Sequence, residues 1–237
     1  MENRWWEYYT IRYFLGTVIG AISVLFLTLE PSSPFANRLT TIEEFKEATF
    51  LNVSLVAALG FAFCYIASAP ILTLHATRAH VRYSAVKSSP YAAAACLLLP
   101  ILLSIGLCWI YLPVPAAITV GVVIGVHFGL VVRACANKFD LIETFYRDLA
   151  TARAPSLPDN EKRTPSSEFI TSYRHLREHG NAFLIVLMEI VLSYALATSP
   201  NQFFGLVLIV VWILPAASAW IIGSALESRL ASAPLPK

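Results

Sequence analysis

The chain is 237 residues long, 57% hydrophobic and only 14% charged, with a formal net charge of +2 and a mean hydropathy of +0.64. Ordinary soluble domains are about 25% charged, and so small a net charge does not directly imply a nucleic-acid partner. The four cysteines (Cys64, Cys96, Cys108, Cys135) are scattered through apolar runs with no CxxC or Cys/His cluster, so no disulfide framework, zinc site or other cofactor is expected.

The chain opens with Trp5, Trp6, Tyr8, Tyr9 and Tyr13 interleaved with Arg4, Glu7 and Arg12. Aromatic rings with one polar edge prefer the headgroup layer, so this stretch reads as an interfacial lead-in to a first span over residues 13–29. That run ends in Leu-Glu-Pro rather than at a small-residue site, so no cleavable signal is expected. A polar connection follows over 31–48, where Thr40 or Thr41 followed by Glu43 and Glu44 predicts a helix start. Span two is predicted over 50–72, and His75, Arg78, His80, Arg82 and Lys87 then fill a short basic loop. Span three (91–112) closes in Pro-Val-Pro, a tight reversal, into span four (116–132).

Span four carries Gly121, Gly125 and Gly129 and crosses Arg133 without a helix breaker into RACANKFDLIETFYRDLATARA. A membrane helix is thus expected to continue into a cytosolic amphipathic helix, the two together forming a rod of roughly 36 residues and about 54 Å. The proline-rich break at 154–168 ends it, and Thr164–Pro165 predicts the start of a second cytosolic helix. Spans five (182–197) and six (203–223) follow, joined by Ser-Pro-Asn-Gln, before a short polar tail.

With the N-terminus inside, all of the 17 Lys and Arg except Arg38 and Lys46 fall on the cytosolic side. The expected fold is therefore all-α: a polytopic transmembrane bundle of six spans, or four with peripheral pieces, carrying a cytosolic helical hairpin. Three units follow: 1–132 with spans one to four, 133–180 as the cytosolic extension, and 181–237 with spans five and six.

Several constellations could carry function. Gly121, Gly125 and Gly129 share one helix face, as do Gly16 and Gly20 in span one, and such faces admit close helix contact within the chain or between subunits of an oligomer. Glu189 lies mid-span, where a carboxylate facing lipid costs several kcal/mol. It must face protein or water, be paired, or be protonated. His127 lies at a similar depth, roughly 8–11 Å from the same side, so a Glu189–His127 pair is expected, with Ser193 one turn beyond on the same face.

The cytosolic helices carry Phe139, Ile142, Phe145, Tyr146 and Leu149, then Phe169, Tyr173 and Leu176, as apolar stripes for each other or for a protein partner. Arg174 and His179 match the Arg-x4-His spacing of HEPN-type RNA-cleaving domains, which leaves a membrane-tethered ribonuclease as a third reading. No Ser/His/Asp triad, P-loop, HExxH or dinucleotide fingerprint is present.

In the lead-in RWWEYYTIRYFLGT, the stretch REHGNAF and its overall layout, the chain resembles small polytopic membrane subunits of bacterial phage-defence systems. These are the membrane subunit of the Kiwa system and the membrane accessories of type VI-B CRISPR loci. The resemblance implies an oligomeric membrane assembly that senses envelope perturbation and controls a cytosolic effector. The expected protein is thus a non-enzymatic inner-membrane scaffold or sensor, multi-pass with both termini cytoplasmic. Its expected partners are the lipid bilayer, further copies of itself and a cytosolic protein. An ion channel or small transporter using the Glu189–His127 pair is the alternative.

Overall fold

In a computed structural model, residues 9–38, 49–77, 90–136, 139–153 and 182–231 are described. All regular structure among them is helical: α1 (Tyr9–Leu29), α2 (Phe50–Ala67), α3 (Ala69–Ala76), α4 (Pro90–Trp109), α5 (Val114–Ala136), α6 (Phe139–Arg153), α7 (Ala182–Ala197) and α8 (Gln202–Ala231). Three stretches are long and apolar enough to cross a membrane: Phe50–Leu74, Val114–Cys135 and Gln202–Arg229. Three shorter apolar helices accompany them, Phe14–Leu29, Ala94–Trp109 and Phe183–Ala197.

The outer surface inverts the pattern of a soluble bundle. On α4, Leu98, Leu99, Leu102, Leu103 and Leu107 are all exposed, as are Phe203, Leu206, Val210 and Ile221 on α8. Water penalises apolar area on this scale, whereas lipid tails do not. The core lies where α3, α5, α7 and α8 meet, around Trp212, Leu192, Leu196 and Val120.

The expected second span is present with a break at Ser68. Thr49 caps α2 by accepting a hydrogen bond from the Asn52 backbone N–H (3.4 Å), and the helix stops at Ser68. Pro70 has no N–H to continue the ladder. The chain restarts one residue later, with the Ile71 N–H donating to the Ser68 carbonyl (3.0 Å) rather than to that of Ala67. The freed Ala67 carbonyl accepts from the indole Nε1–H of Trp212 on α8 (3.3 Å). The expected span over 50–72 thus lies within the membrane-length stretch Phe50–Leu74 but is divided at Ser68 into two helices: α2 leans on α1, and α3 on α8 and α5.

Both tight reversals form. Leu112 donates its N–H to the Cys108 carbonyl (2.8 Å), turning α4 into α5. Asn201 caps α8 by accepting from the Phe204 N–H (2.8 Å). α8 runs on to Ala231, so part of the expected polar tail is helix. The connection after α1 turns at Asn37, whose φ of 57° is left-handed, a conformation asparagine tolerates better than most residues. It docks on the start of α8, where Gln202 Nε2 donates to the Pro34 carbonyl (2.8 Å) and the Phe35 ring lies against Gly205. The expected helix start at Thr40 or Thr41 and the basic loop from Arg78 to Lys87 lie outside the described residues, as does the side chain of His75.

Candidate functional site

Glu189 is fully buried in α7, and neither carboxyl oxygen has a hydrogen-bond partner. Its surroundings come from α1 and α2. Gly20 of α1 packs so closely that a Cβ there would stand 3.2 Å from Glu189 Oε1, and it would also strike the Gly60 carbonyl of α2. A Cβ on Gly60 would run into the backbone of Thr17 and Ala21. One turn along, Gly16 faces Cys64, whose thiol lies against the Glu189 carboxyl as a weak donor without reaching hydrogen-bond geometry. Two glycines on α1 and a glycine–cysteine pair on α2 thus let two backbones touch, and the carboxyl of α7 closes the junction.

The expected Glu189–His127 pair does not form. His127 is buried in α5, but its Nδ1 is also unpartnered, and its ring stands edge-on to Trp212 with centroids 6.2 Å apart. The physical reason is which face each helix turns inward: α7 packs more extensively on α1 than on α5, and this aims Glu189 at the α1–α2 crossing. Ser193 is buried on the same helix, yet its hydroxyl donates to the Glu189 backbone carbonyl (2.6 Å) and adds nothing to the carboxyl.

The glycine ridge of α5 is used inside the chain. A Cβ on Gly121 would come within 2.6 Å of the Ile105 Cα; on Gly125 it would collide with Ile101, and on Gly129 it would meet the Cys96 carbonyl at 3.1 Å. All three contacts are to α4, so this face is closed to a second subunit. Gly16 and Gly20 are closed in the same way by α2. α4 in turn makes its main contact with α5 alone.

On α6, Ile142, Phe145 and Tyr146 are buried within the chain, and the adjacent Phe145 and Tyr146 rings pack edge to face at 4.9 Å. They are therefore not an open docking stripe, because an apolar row on a charged helix is covered wherever the chain can cover it. The side chains of Phe139 and Leu149 lie outside the described residues, as do Phe169, Tyr173 and Leu176 and the Arg174–His179 pair. Residues 137–138 are also outside them, so the continuity of the rod is described only as far as Ala136.

No three His, Cys, Asp or Glu side chains among the described residues converge on a metal position. Most buried hydroxyls are engaged with their own helices: Thr28 with Val24, Thr73 with Ala69, Thr77 with Thr73 and Ser199 with Leu196. Sequence reasoning missed Gly60, Cys64 and Trp212. Gly60 and Cys64 were readable as a small-x3-small step, and the role of Trp212 follows only from Pro70. Compared with protein-family models, curated proteins and solved structures, the chain matches none of them.

Proposed function

We propose that the protein is a non-enzymatic scaffold or sensor of the inner membrane that oligomerises and couples an event in the bilayer to a cytosolic protein, in the setting of phage defence. The placement of α5 is the observation that supports this reading. α3, α4, α7 and α8 all pack on it, and it runs beyond Arg133 to Ala136, two residues short of the charged helix α6. A displacement among the membrane helices converges on α5, and α5 leads towards α6.

The proposed topology has six spans with both termini cytosolic. α1 and α4, with 21 and 20 residues, reach about 30 Å at 1.5 Å per residue, the thickness of the hydrocarbon layer. Because the glycine faces are occupied, the contact between copies uses other surfaces.

A photo-crosslinking residue at the exposed Thr151 of α6 tests the proposal in cells. It is expected to capture one discrete cytosolic protein that a probe at Phe203, the opposite end of the bundle, does not. Adducts with lipid alone from Thr151, in phage-challenged and unchallenged cells alike, overturn the reading.

The second reading, an ion channel or small transporter, draws on the unpartnered Glu189 carboxyl. The engaged hydroxyls of the bundle weigh against a polar pathway, which ordinarily needs several available groups. Ion flux into proteoliposomes that changes in Glu189→Gln would favour it.

A further inference from the structure

We infer that Glu189 is a proton-binding site whose occupancy decides whether α7 stays seated against the α1–α2 crossing. The side chain is completely buried, and both carboxyl oxygens lack a partner. A buried polar atom without a hydrogen bond is rare and needs a reason. Here the neighbours give one. Gly20 and Gly60 bring backbone against backbone beside Oε1, so neither position offers a side chain to satisfy a charge.

The titratable groups around Glu189 are few. From α2 there is Cys64, whose thiol lies against the carboxyl. α1 presents Gly16, Gly20 and the backbone of Thr17, none of which titrates. α5 presents His127, turned to Trp212, and α3 and α8 bring no described titratable side chain onto it. No described cation compensates a carboxylate at this junction.

A neutral carboxylic acid is the form such a water-free junction tolerates. When the O–H bond breaks, the proton passes to water reaching the junction, and the carboxylate left behind costs several kcal/mol unless it is hydrated. The relief open to it is separation of α7 from Gly20 and Cys64, which admits water. Protonation therefore favours the closed junction, and rising pH favours the open one. This inference goes beyond the proposed coupling to a cytosolic partner and holds whether or not α6 binds one.

The test uses the full chain in liposomes. Infrared titration reads the protonated-carboxyl band that Glu189→Gln removes, and peptide mass spectrometry reads alkylation of Cys64 by a small maleimide. In wild type the band is expected to disappear reversibly as pH rises. Over the same range, Cys64 alkylation should increase relative to Glu189→Gln by a factor within the ordinary coupling range of about 5–150. A carboxylate beside the thiol disfavours the thiolate and by itself lowers the wild-type rate relative to Glu189→Gln, so an increase in the ratio reports opening of the junction. Glu189→Asp, which withdraws the carboxyl by one methylene, should keep a titrating band but lose the effect on Cys64. A band absent at every pH, a band constant at every pH, or identical Cys64 profiles in wild type and Glu189→Gln each overturn the inference. If Glu189→Gln does not fold, the wild-type and Glu189→Asp profiles decide it, and equal Cys64 responses in those two overturn it.

Discussion

The indole of Trp212 on α8 donates to the carbonyl of Ala67, the acceptor left free where the Ile71 N–H turns to Ser68 at the break between α2 and α3. One residue of the sixth expected span thus satisfies the backbone fault of the second. Trp212→Phe keeps most of the packing and leaves the carbonyl unpaired, so it should cost about 1 kcal/mol. Trp212→Ala also opens a cavity at a side chain with no exposure, and should cost about 3–5 kcal/mol. Unfolding in mixed micelles, followed by tryptophan-independent circular dichroism, measures both, and equal losses would show that the hydrogen bond alone matters.

The α4–α5 seam makes a contrast within one hairpin. Gly125→Leu drives a side chain into Ile101, whereas at Gly106 on α4 an added Cβ meets nothing within 4 Å and Gly106→Leu starts into open space. The first should lower the melting temperature in detergent by several degrees, and the second should leave it unchanged. Size-exclusion with light scattering should show the same oligomeric state for both, because the ridge is spent within the chain. A change of state in Gly125→Leu alone would return that face to a subunit contact.

Removing the Ser193 hydroxyl should do little. It serves its own helix's carbonyl, and such bonds between membrane-embedded groups average about 0.6 kcal/mol. Ser193→Ala is therefore expected within that margin of wild type in the same unfolding assay. It should also leave the Cys64 alkylation profile unmoved.

On α6 the buried face governs stability and the exposed face does not. Ile142 is 1% exposed, so Ile142→Ala should cost about 2–4 kcal/mol of local stability, visible as faster limited proteolysis after Arg153. The exposed Glu143–Arg147 pair spans 2.6 Å, yet i,i+4 pairs at the surface contribute only about 0.3–0.5 kcal/mol. Arg147→Ala should be nearly silent, and the more so at high salt.

The thiols report sidedness. Cys135 is exposed at the end of α5 and Cys64 is buried. With six spans and cytosolic termini, a membrane-impermeant maleimide should label Cys135 in inverted vesicles and not in intact spheroplasts. Labelling from outside would reverse the topology.

The helical, membrane-type architecture was legible because apolar runs and glycine spacing are local properties. The reversals at 113–115 and 198–201 were legible for the same reason. Glu189 stood out as buried, since a lone acid among FLIVLM and IVL has few other places to go. Its neighbours did not stand out: depth along a span says which residues share a layer, but the rotation of α7 about its axis decides that Glu189 meets Gly20 rather than His127. The break at Ser68 was within reach through Pro70, but hydropathy is continuous across it and hides it. The stripe on α6 could be read as apolar, and whether it is covered depends on contacts that no periodicity encodes.

α4 meets the rest of the bundle principally through α5, while its leucine-rich outer face is free. Thinning, stretching or curvature of the surrounding bilayer changes the tilt of a peripheral helix first. Tilt of α4 cannot be absorbed by soft side chains at the seam, because Gly121 and Gly125 place main chain directly on Ile105 and Ile101. Under the proposed function, the α4–α5 hairpin serves as a stiff lever, with lipid tension on its outer arm and the bundle core on its inner one.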